Sequence, residues 1–437
     1  MSIKIPIMDK IKILVIIPVF GREDVFQTLK ALREEPPKGI YLHFFVVDNG
    51  NKPPLSAKLA ALERSDCQII HSQENVGGAG AFRLGMKAAL AAKADFIWLL
   101  DDDALATYET IVALYEEFIR LEQQGVKLGI LGSTMLGRQN PNFVTEVGCR
   151  ISPLTGKLTQ CYHGADFREL PPHTAPVDYV AAASLLVRHA VLEQVGPFED
   201  IFIHYDDADW CYRVREAGYA VYATTRSVIH HMEWQHKFAP WILYYDTRNL
   251  LWFLNRHFPL RSAYWLRRTH RWLQMCSLYT QGCFDQAQYI RLGLNHIRSG
   301  KCLFRNALPT APRNLLSRQD LFPTPVPIWV ISANAQSLAT LEADIKPTAK
   351  KIRLFRYKDC DCRGLPKKLA WIIRHIALHA LIHLATLCRP KSVILIDYAS
   401  AQNYLLPFLW GKRILFSLEN GQVCYFTQPR PVQLATN

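Results

Sequence analysis

The chain has 437 residues, of which 49% are hydrophobic and 20% charged. This is the composition of a folded globular protein, and the length predicts two domains. The net charge of +13 is uneven: residues 237–313 hold twelve Lys and Arg against Asp246 and Asp285 alone, interleaved with Trp, Tyr, Phe and Leu. No long low-complexity tract and no repeat at solenoid spacing is present.

The first apolar run, Lys12 to Phe20, stops at Gly21-Arg22-Glu23-Asp24 without a small-residue cleavage site. It reads as a buried strand, not a secretory leader, which makes a cytoplasmic protein the expectation. Asp24 to Glu34 has helical spacing. Leu42 to Val47 is a second strand, ending at Asp48-Asn49-Gly50. Cys67 to His71 is a third, Ala79 to Ala92 a helix, and Asp95 to Leu100 a fourth strand, ending at Asp101-Asp102-Asp103. Such alternation predicts an α/β fold with a mainly parallel sheet and ligands at the carboxyl ends of its strands. Val177 to Val187 reads as another strand, a helix begins near Asp207, and Tyr219 to Ile229 is a strand.

Residues 1–240 are therefore expected to form the first domain and 241–305 a basic helical extension. Residues 306–326 read as a linker and 327–437 as a smaller α/β domain. In that last part Pro327 to Ile331, Lys351 to Arg356, Ser392 to Asp397 and Arg413 to Ser417 read as strands, and Lys368 to Leu387 as a long helix. The stretch Trp371 to Leu387 is too polar for a membrane span. Eleven cysteines occur without a C-x-x-C pair, and Cys360-Asp361-Cys362 comes nearest to a motif. They are expected as reduced thiols. The basic, aromatic segment suits an anionic membrane surface or, equally, a plain solvated helical face. No nucleic-acid motif accompanies it, so nucleic acid is not an expected partner.

Four polar clusters carry the chemistry. Asp101, Asp102 and Asp103 repel one another unless a cation relieves them, and hard carboxylate oxygens suit Mg2+ or Mn2+. A solvated acidic turn or helix cap is the plain alternative. Asn75-Val76-Gly77-Gly78-Ala79-Gly80 opens a helix, where glycines permit close backbone approach and the dipole favours an anion. A tight helix start explains it equally well. In His204-Tyr205-Asp206-Asp207-Ala208-Asp209-Trp210, a carboxylate at a helix start could take a proton from a hydroxyl, or simply cap. His230 and His231 follow at a strand end, where only one should face the site.

Taken together, residues 11 to about 256 resemble family 2 inverting glycosyltransferases of the GT-A fold. The carriers, in order, are Ile17 to Arg22, Val46 to Gly50, Asn75 to Gly80, Leu99 to Ala104, His204 to Trp210 and the H-x-x-W of His231 to Trp234. Within that family Asn75 to Phe82, Asp206 to Trp210 and Tyr244 to Asn249 resemble bacterial galactofuranosyltransferases, and rhamnosyltransferases are similar. The resemblance implies a metal site of Asp103 and His231, occupied by Mn2+ or Mg2+. It implies donor contacts by Pro18, Phe20, Arg22, Asp48, Asn75, Gly77, Gly78, Asp101 and Asp102. Asp207 would be the base and Asp206 its neighbour, with His204, Trp210 and Trp234 toward the acceptor.

The implied donor is a nucleotide sugar, UDP-galactofuranose before dTDP-rhamnose. The implied acceptor is a surface glycan, such as O-antigen, or its lipid-linked precursor at the cytoplasmic face of the inner membrane. Oligomers are compatible with this, and a non-catalytic nucleotide-sugar binder is the alternative from another class. Where mycobacterial polymerising enzymes of this kind carry tryptophans, the chain has Asp178-Tyr179-Val180-Ala181-Ala182-Ala183, so its acceptor site is expected to differ.

Overall fold

A computed structural model describes residues 10–32, 39–62, 64–232, 239–280, 284–299, 302–303 and 308. It also describes the strand segments 316–317, 326–332, 349–356, 393–397, 414–417 and 422–425. Two compact units divide the chain. The first comprises 1–268 and 293–308, and the second 269–292 and 309–437.

The first unit begins with β1 (Ile11–Val19), α1 (Asp24–Ala31), β2 (Ile40–Asn49), α2 (Ser56–Ala60), β3 (Cys67–Ser72), α3 (Gly77–Ala91) and β4 (Phe96–Leu100). There follow α4 (Tyr108–Gln123), β5 (Leu128–Gly137), β6 (Val144–Glu146), β7 (Cys149–Ile151), β8 (Leu158–Gln160) and β9 (Thr174–Pro176). The chain then runs through β10 (Ser184–Arg188), α5 (His189–Val195), α6 (Asp206–Glu216), β11 (Ala220–His231) and α7 (Ile242–His257). Helices α8 (Arg261–Thr280) and α9 (Phe284–Ser299) each cross from one unit to the other.

The main sheet has the order β3-β2-β1-β4-β10-β5-β11-β9, with β6 beside β5. Alternate residues of β1 enter different layers: Leu14 and Ile16 join Phe82 and Met86 of α3. Ile13, Val15 and Ile17 join Val25 and Leu29 of α1 with Ile111, Leu114 and Phe118 of α4. Both faces are covered, which is why the strand is apolar without alternation.

The sheet is mixed. Strands β3, β2, β1 and β4 are mutually parallel, and β5 and β11 are parallel. Strand β10 runs antiparallel to both β4 and β5. The expected strand Val177 to Val187 is correspondingly shorter. Only Ser184–Arg188 joins the sheet. Upstream, Asp178 N–H donates to Cys149 O at 2.9 Å, and the Asp178 carboxylate accepts from Ile151 N–H at 2.7 Å. These bonds hold Asp178 on β7, away from the line of β10.

The second unit contains strands Leu316–Ser317, Val326–Ser332, Ala349–Arg356, Val393–Asp397, Ile414–Ser417 and Gln422–Tyr425. Val326–Ser332 lies between Ala349–Arg356 and Val393–Asp397, parallel to both, and Ile414–Ser417 continues the parallel set. Leu316–Ser317, within the stretch expected as linker, pairs with Gln422–Tyr425. The helix expected at 368–387 and the Cys360-Asp361-Cys362 motif lie outside the described residues. Among those residues, no helix is long and apolar enough to cross a membrane.

Candidate active site

The acidic triplet sits where the sheet changes direction. Leu100 pairs with Ser184 of antiparallel β10, and Asp101 N–H donates to Ala183 O at 3.3 Å. Ala104 N–H then donates to Asp101 O at 3.2 Å, closing a turn. Leu105 next pairs with His230 through both backbone bonds, at 2.8 and 3.2 Å. This pairing pins the end of β11 to the acidic turn. Because neighbours on a strand face opposite ways, His231 turns toward the carboxylates. Its Nε2 lies 3.3 Å from Asp101 Oδ2 and 3.2 Å from Asp103 Oδ1.

Asp101, Asp103 and His231 can each offer one ligand atom within 4.8 Å of the others. A small divalent ion at ~2.1 Å from each ligand places adjacent ligands about 3 Å apart along the edge of an octahedron. The His231 separations match that edge. The two carboxylates suit Mn2+ or Mg2+, and the imidazole adds a nitrogen ligand typical of transition ions.

Arg22, expected at the nucleoside, contacts the other carboxylate oxygens. Its Nη1 is 2.5 Å from Asp103 Oδ2 and 3.3 Å from Asp102 Oδ1. Asp102 also accepts Phe20 N–H at 3.3 Å. Burial pushes the Asp102 carboxyl up to about 7, and the charge of Asp103 adds to this while Arg22 opposes it. The Phe20 ring is half exposed beside this turn, and Pro18 is buried opposite Val47.

The Asp48 and Gly77 clusters organise the neighbouring strand ends. Asp48 accepts from the Asn51 side chain at 2.7 Å, Asn51 N–H at 3.2 Å and Leu55 N–H at 2.9 Å. Burial would raise its pKa, but these donors hold it below the usual carboxylate value. Asn51 in turn binds Val19 O and Gly21 N–H, joining the ends of β1 and β2. Asn75 Oδ1 accepts Gly77 N–H at 2.8 Å, and Asn49 Oδ1 accepts Val76 N–H at 2.9 Å. Gly77 has φ +78°, and a Cβ there would lie 2.0 Å from Phe202 O. Gly78 by contrast faces open space.

A second acidic pair opens α6. Asp206 and Asp207 are both shifted above the usual carboxylate range, first by burial, and the charge of Asp101 raises both. Asp207 Oδ1 accepts Ala208 N–H at 2.7 Å. That donor favours ionised Asp207 and opposes the upward shift. His204 Nδ1 lies 2.6 Å from Asp246 Oδ1 on α7. Burial lowers the His204 pKa, but Asp246 outweighs it and the net shift is upward.

The approach to α6 is unusual. Phe202, His204 and Tyr205 have φ of 71°, 65° and 66°, a left-handed backbone that non-glycine residues adopt only under constraint. The constraint is Asn249, fully buried on α7. Its amide donates to Ile201 O, Ile203 O and His204 O at 3.0, 2.7 and 3.2 Å.

Three residues at the site drew no role from the sequence. Asp246 and Asn249 belong to Tyr244 to Asn249, a motif noticed as a resemblance only. Glu146 ends β6 and is buried, which pushes its carboxyl up to about 7 with a further contribution from Asp207. An isolated glutamate in an unread segment gives no pattern to find it by. Trp210 must be removed from the acceptor set. It is fully buried against Phe198, and its indole N–H donates to Gly196 O at 2.8 Å. Trp234 lies outside the described residues.

Residues 14–164 match the family model Glycosyl transferase family 2. The chain is 26% identical over 280 residues to galactofuranosyltransferase GlfT2 of Mycobacterium tuberculosis, covering 58% of this chain and 43% of that protein. It is 33% identical over 143 residues to galactofuranosyltransferase GlfT1 of the same species, covering 29% of this chain and 45% of that one. A pre-mycofactocin glycosyltransferase of M. tuberculosis is 24% identical over 182 residues, covering 40% of this chain and 34% of that protein. The chain thus spans less than half the length of each of these relatives. The matched segment contains β1 from Leu14 onward, the Asn75 to Gly80 turn and the acidic triplet. By these features residues 14–164 are similar to glycosyltransferase family 2.

Proposed function

We propose that the chain is an inverting glycosyltransferase that moves a galactofuranosyl residue from UDP-galactofuranose to a surface glycan or its lipid-linked precursor. The observation that carries this reading is the convergence of Asp101, Asp103 and His231 at one point, near enough to the buried Asp206–Asp207 pair for Asp101 to shift both. The galactofuranosyl donor is supported by the two relatives named for that activity.

In this reading Asp103 and His231 hold Mn2+ or Mg2+, with Asp101 beside them toward the donor. When bound, the ion supplies positive charge to the diphosphate leaving group. Arg22 fixes the orientation of Asp103 by its 2.5 Å bond. Pro18, Phe20 and Asp48 shape the nucleoside side, and Asn75, Gly77 and Gly78 the sugar side. Asp207 takes the proton of an acceptor hydroxyl. The hydroxyl oxygen attacks the anomeric carbon from the face opposite the diphosphate, the bond to the diphosphate breaks, and configuration inverts. Asp206 is its neighbour, a carboxyl that burial and the charge of Asp207 shift upward. We assign 241–305 to a peripheral contact with the cytoplasmic membrane face and 327–437 to an accessory role.

The test is turnover of a donor panel with Mn2+ and a crude lipid-linked acceptor. UDP release from UDP-galactofuranose is expected. Release of dTDP from dTDP-rhamnose alone would transfer the reading to a rhamnosyltransferase. Donor binding with no turnover, equal in wild type and Asp207→Asn, would make the chain a nucleotide-sugar binder. Asp103→Ala and His231→Ala are each expected to lower turnover about 100-fold or more. Full activity in EDTA would remove the metal from the mechanism.

A further inference from the structure

We propose that the first half of α8 and the turn at Leu154 form one surface that seats on an anionic phospholipid bilayer. This rests on the membrane-facing part of the reading above and gives it a location. Among the described residues seven large hydrophobic side chains stand exposed, and four of them are Leu154, Leu260, Trp265 and Leu266, at 59%, 57%, 57% and 53%.

They share a surface for a structural reason. Ser262 precedes Trp265 and Leu266 by one helical turn and so lies on their side of α8. Its hydroxyl donates to Leu154 O at 3.0 Å, while Arg267 Nε donates to Thr155 O at 3.0 Å. The 154–155 turn is thereby tied to the helix face that carries Trp265 and Leu266.

Along α8 itself the charge has one sign. Arg261 and Arg268 stand one turn before and after Trp265, and the Arg268 guanidinium lies 5.7 Å from the Trp265 ring. From Pro259 to Phe284 the sequence contains four arginines and no Asp or Glu. Apolar side chains that include a tryptophan, flanked by arginines without a counter-charge, match the boundary between acyl chains and anionic headgroups. A protein partner with its own basic patches would be repelled. The same charge separates this face from ordinary solvent-exposed helix, where acidic residues normally alternate with basic ones.

The test is flotation of the full chain with vesicles of phosphatidylcholine alone or mixed with phosphatidylglycerol, over a range of salt. Binding to the mixed vesicles is expected, weakening as salt rises. Arg261→Gln and Arg268→Gln should each reduce it about fivefold, and Trp265→Ser with Leu266→Ser about tenfold or more. All four side chains are peripheral, so wild-type melting temperatures are expected and report that the fold is intact. Absence of binding to the mixed vesicles, or binding unchanged in both sets of variants, overturns the proposal. So does a wild-type dimer that Trp265→Ser converts to monomer, which would assign the face to a second copy. Binding is read without turnover, so a wrong donor or acceptor leaves the result standing.

Discussion

Asp207 is a half-buried carboxyl that adds to the upward shift of buried Glu146, yet the two carry different consequences. Asp207 must be ionised to accept a proton, and burial raises its pKa. The acid limb of kcat/KM is therefore expected above the ordinary carboxylate range of about 4. Asp207→Asn should lower kcat by about 100- to 10,000-fold while retaining donor binding. A pH–rate profile and donor titration check both. Glu146 binds its proton more tightly folded than unfolded. Its contribution to stability is full below the unfolded pKa and is lost as pH rises through about 7. Glu146→Gln should therefore melt above wild type at alkaline pH, and the gain should vanish in mild acid. Melting curves across pH decide this.

At the scale of elements, the site depends on how α3, α6 and α7 grip the loop before Asp206. Phe202 O accepts Ala79 N–H at 3.0 Å, while Asn249 takes three neighbouring carbonyls. Asn249→Ala leaves buried carbonyls unsatisfied and should cost about 2–3 kcal/mol. Gly77→Ala meets both a positive φ and backbone oxygen, and should melt well below wild type. Denaturant titration of each variant tests this. The strand ends were readable because a continuous apolar run stopped at polar residues, as in Phe96–Leu100 before Asp101. Strand alternation left open which of His230 and His231 faces the site; the H-x-x-W resemblance favoured His231, which is the one beside Asp101 and Asp103. The reversal of β10 was not readable, since a buried strand has the same composition in either direction. Nor was Trp210, whose neighbourhood in the sequence is the acidic pair but whose side chain points into the core. Asn249 and Asp246 act on residues more than forty positions away, and no local pattern records that distance.

On the scale of the whole molecule, the first unit closes on itself late in the chain. Gly293 packs on Tyr244 O and Thr247. Tyr244 O–H pairs with His296 at 2.9 Å, and Tyr245 O–H donates to Leu303 O at 2.7 Å. Gly293, His296 and Leu303 thus support the helix that carries Asp246 and Asn249. A chain ending at residue 308 should retain the melting transition of the first unit, whereas one ending at 268 should melt lower. Scanning calorimetry of the two truncations makes the comparison.

The left-handed backbone at 202, 204 and 205 has a further consequence for how such a protein could be improved. Each non-glycine residue held there stores of order 1–3 kcal/mol, which glycine would release at 204 and 205, whereas at 202 loss of the buried, stacked Phe202 ring would outweigh the release. A selection for heat resistance alone would be drawn to these positions. It would harvest its largest gains by relaxing the turn that aims Asp206 and Asp207, yielding hardier proteins with progressively less chemistry.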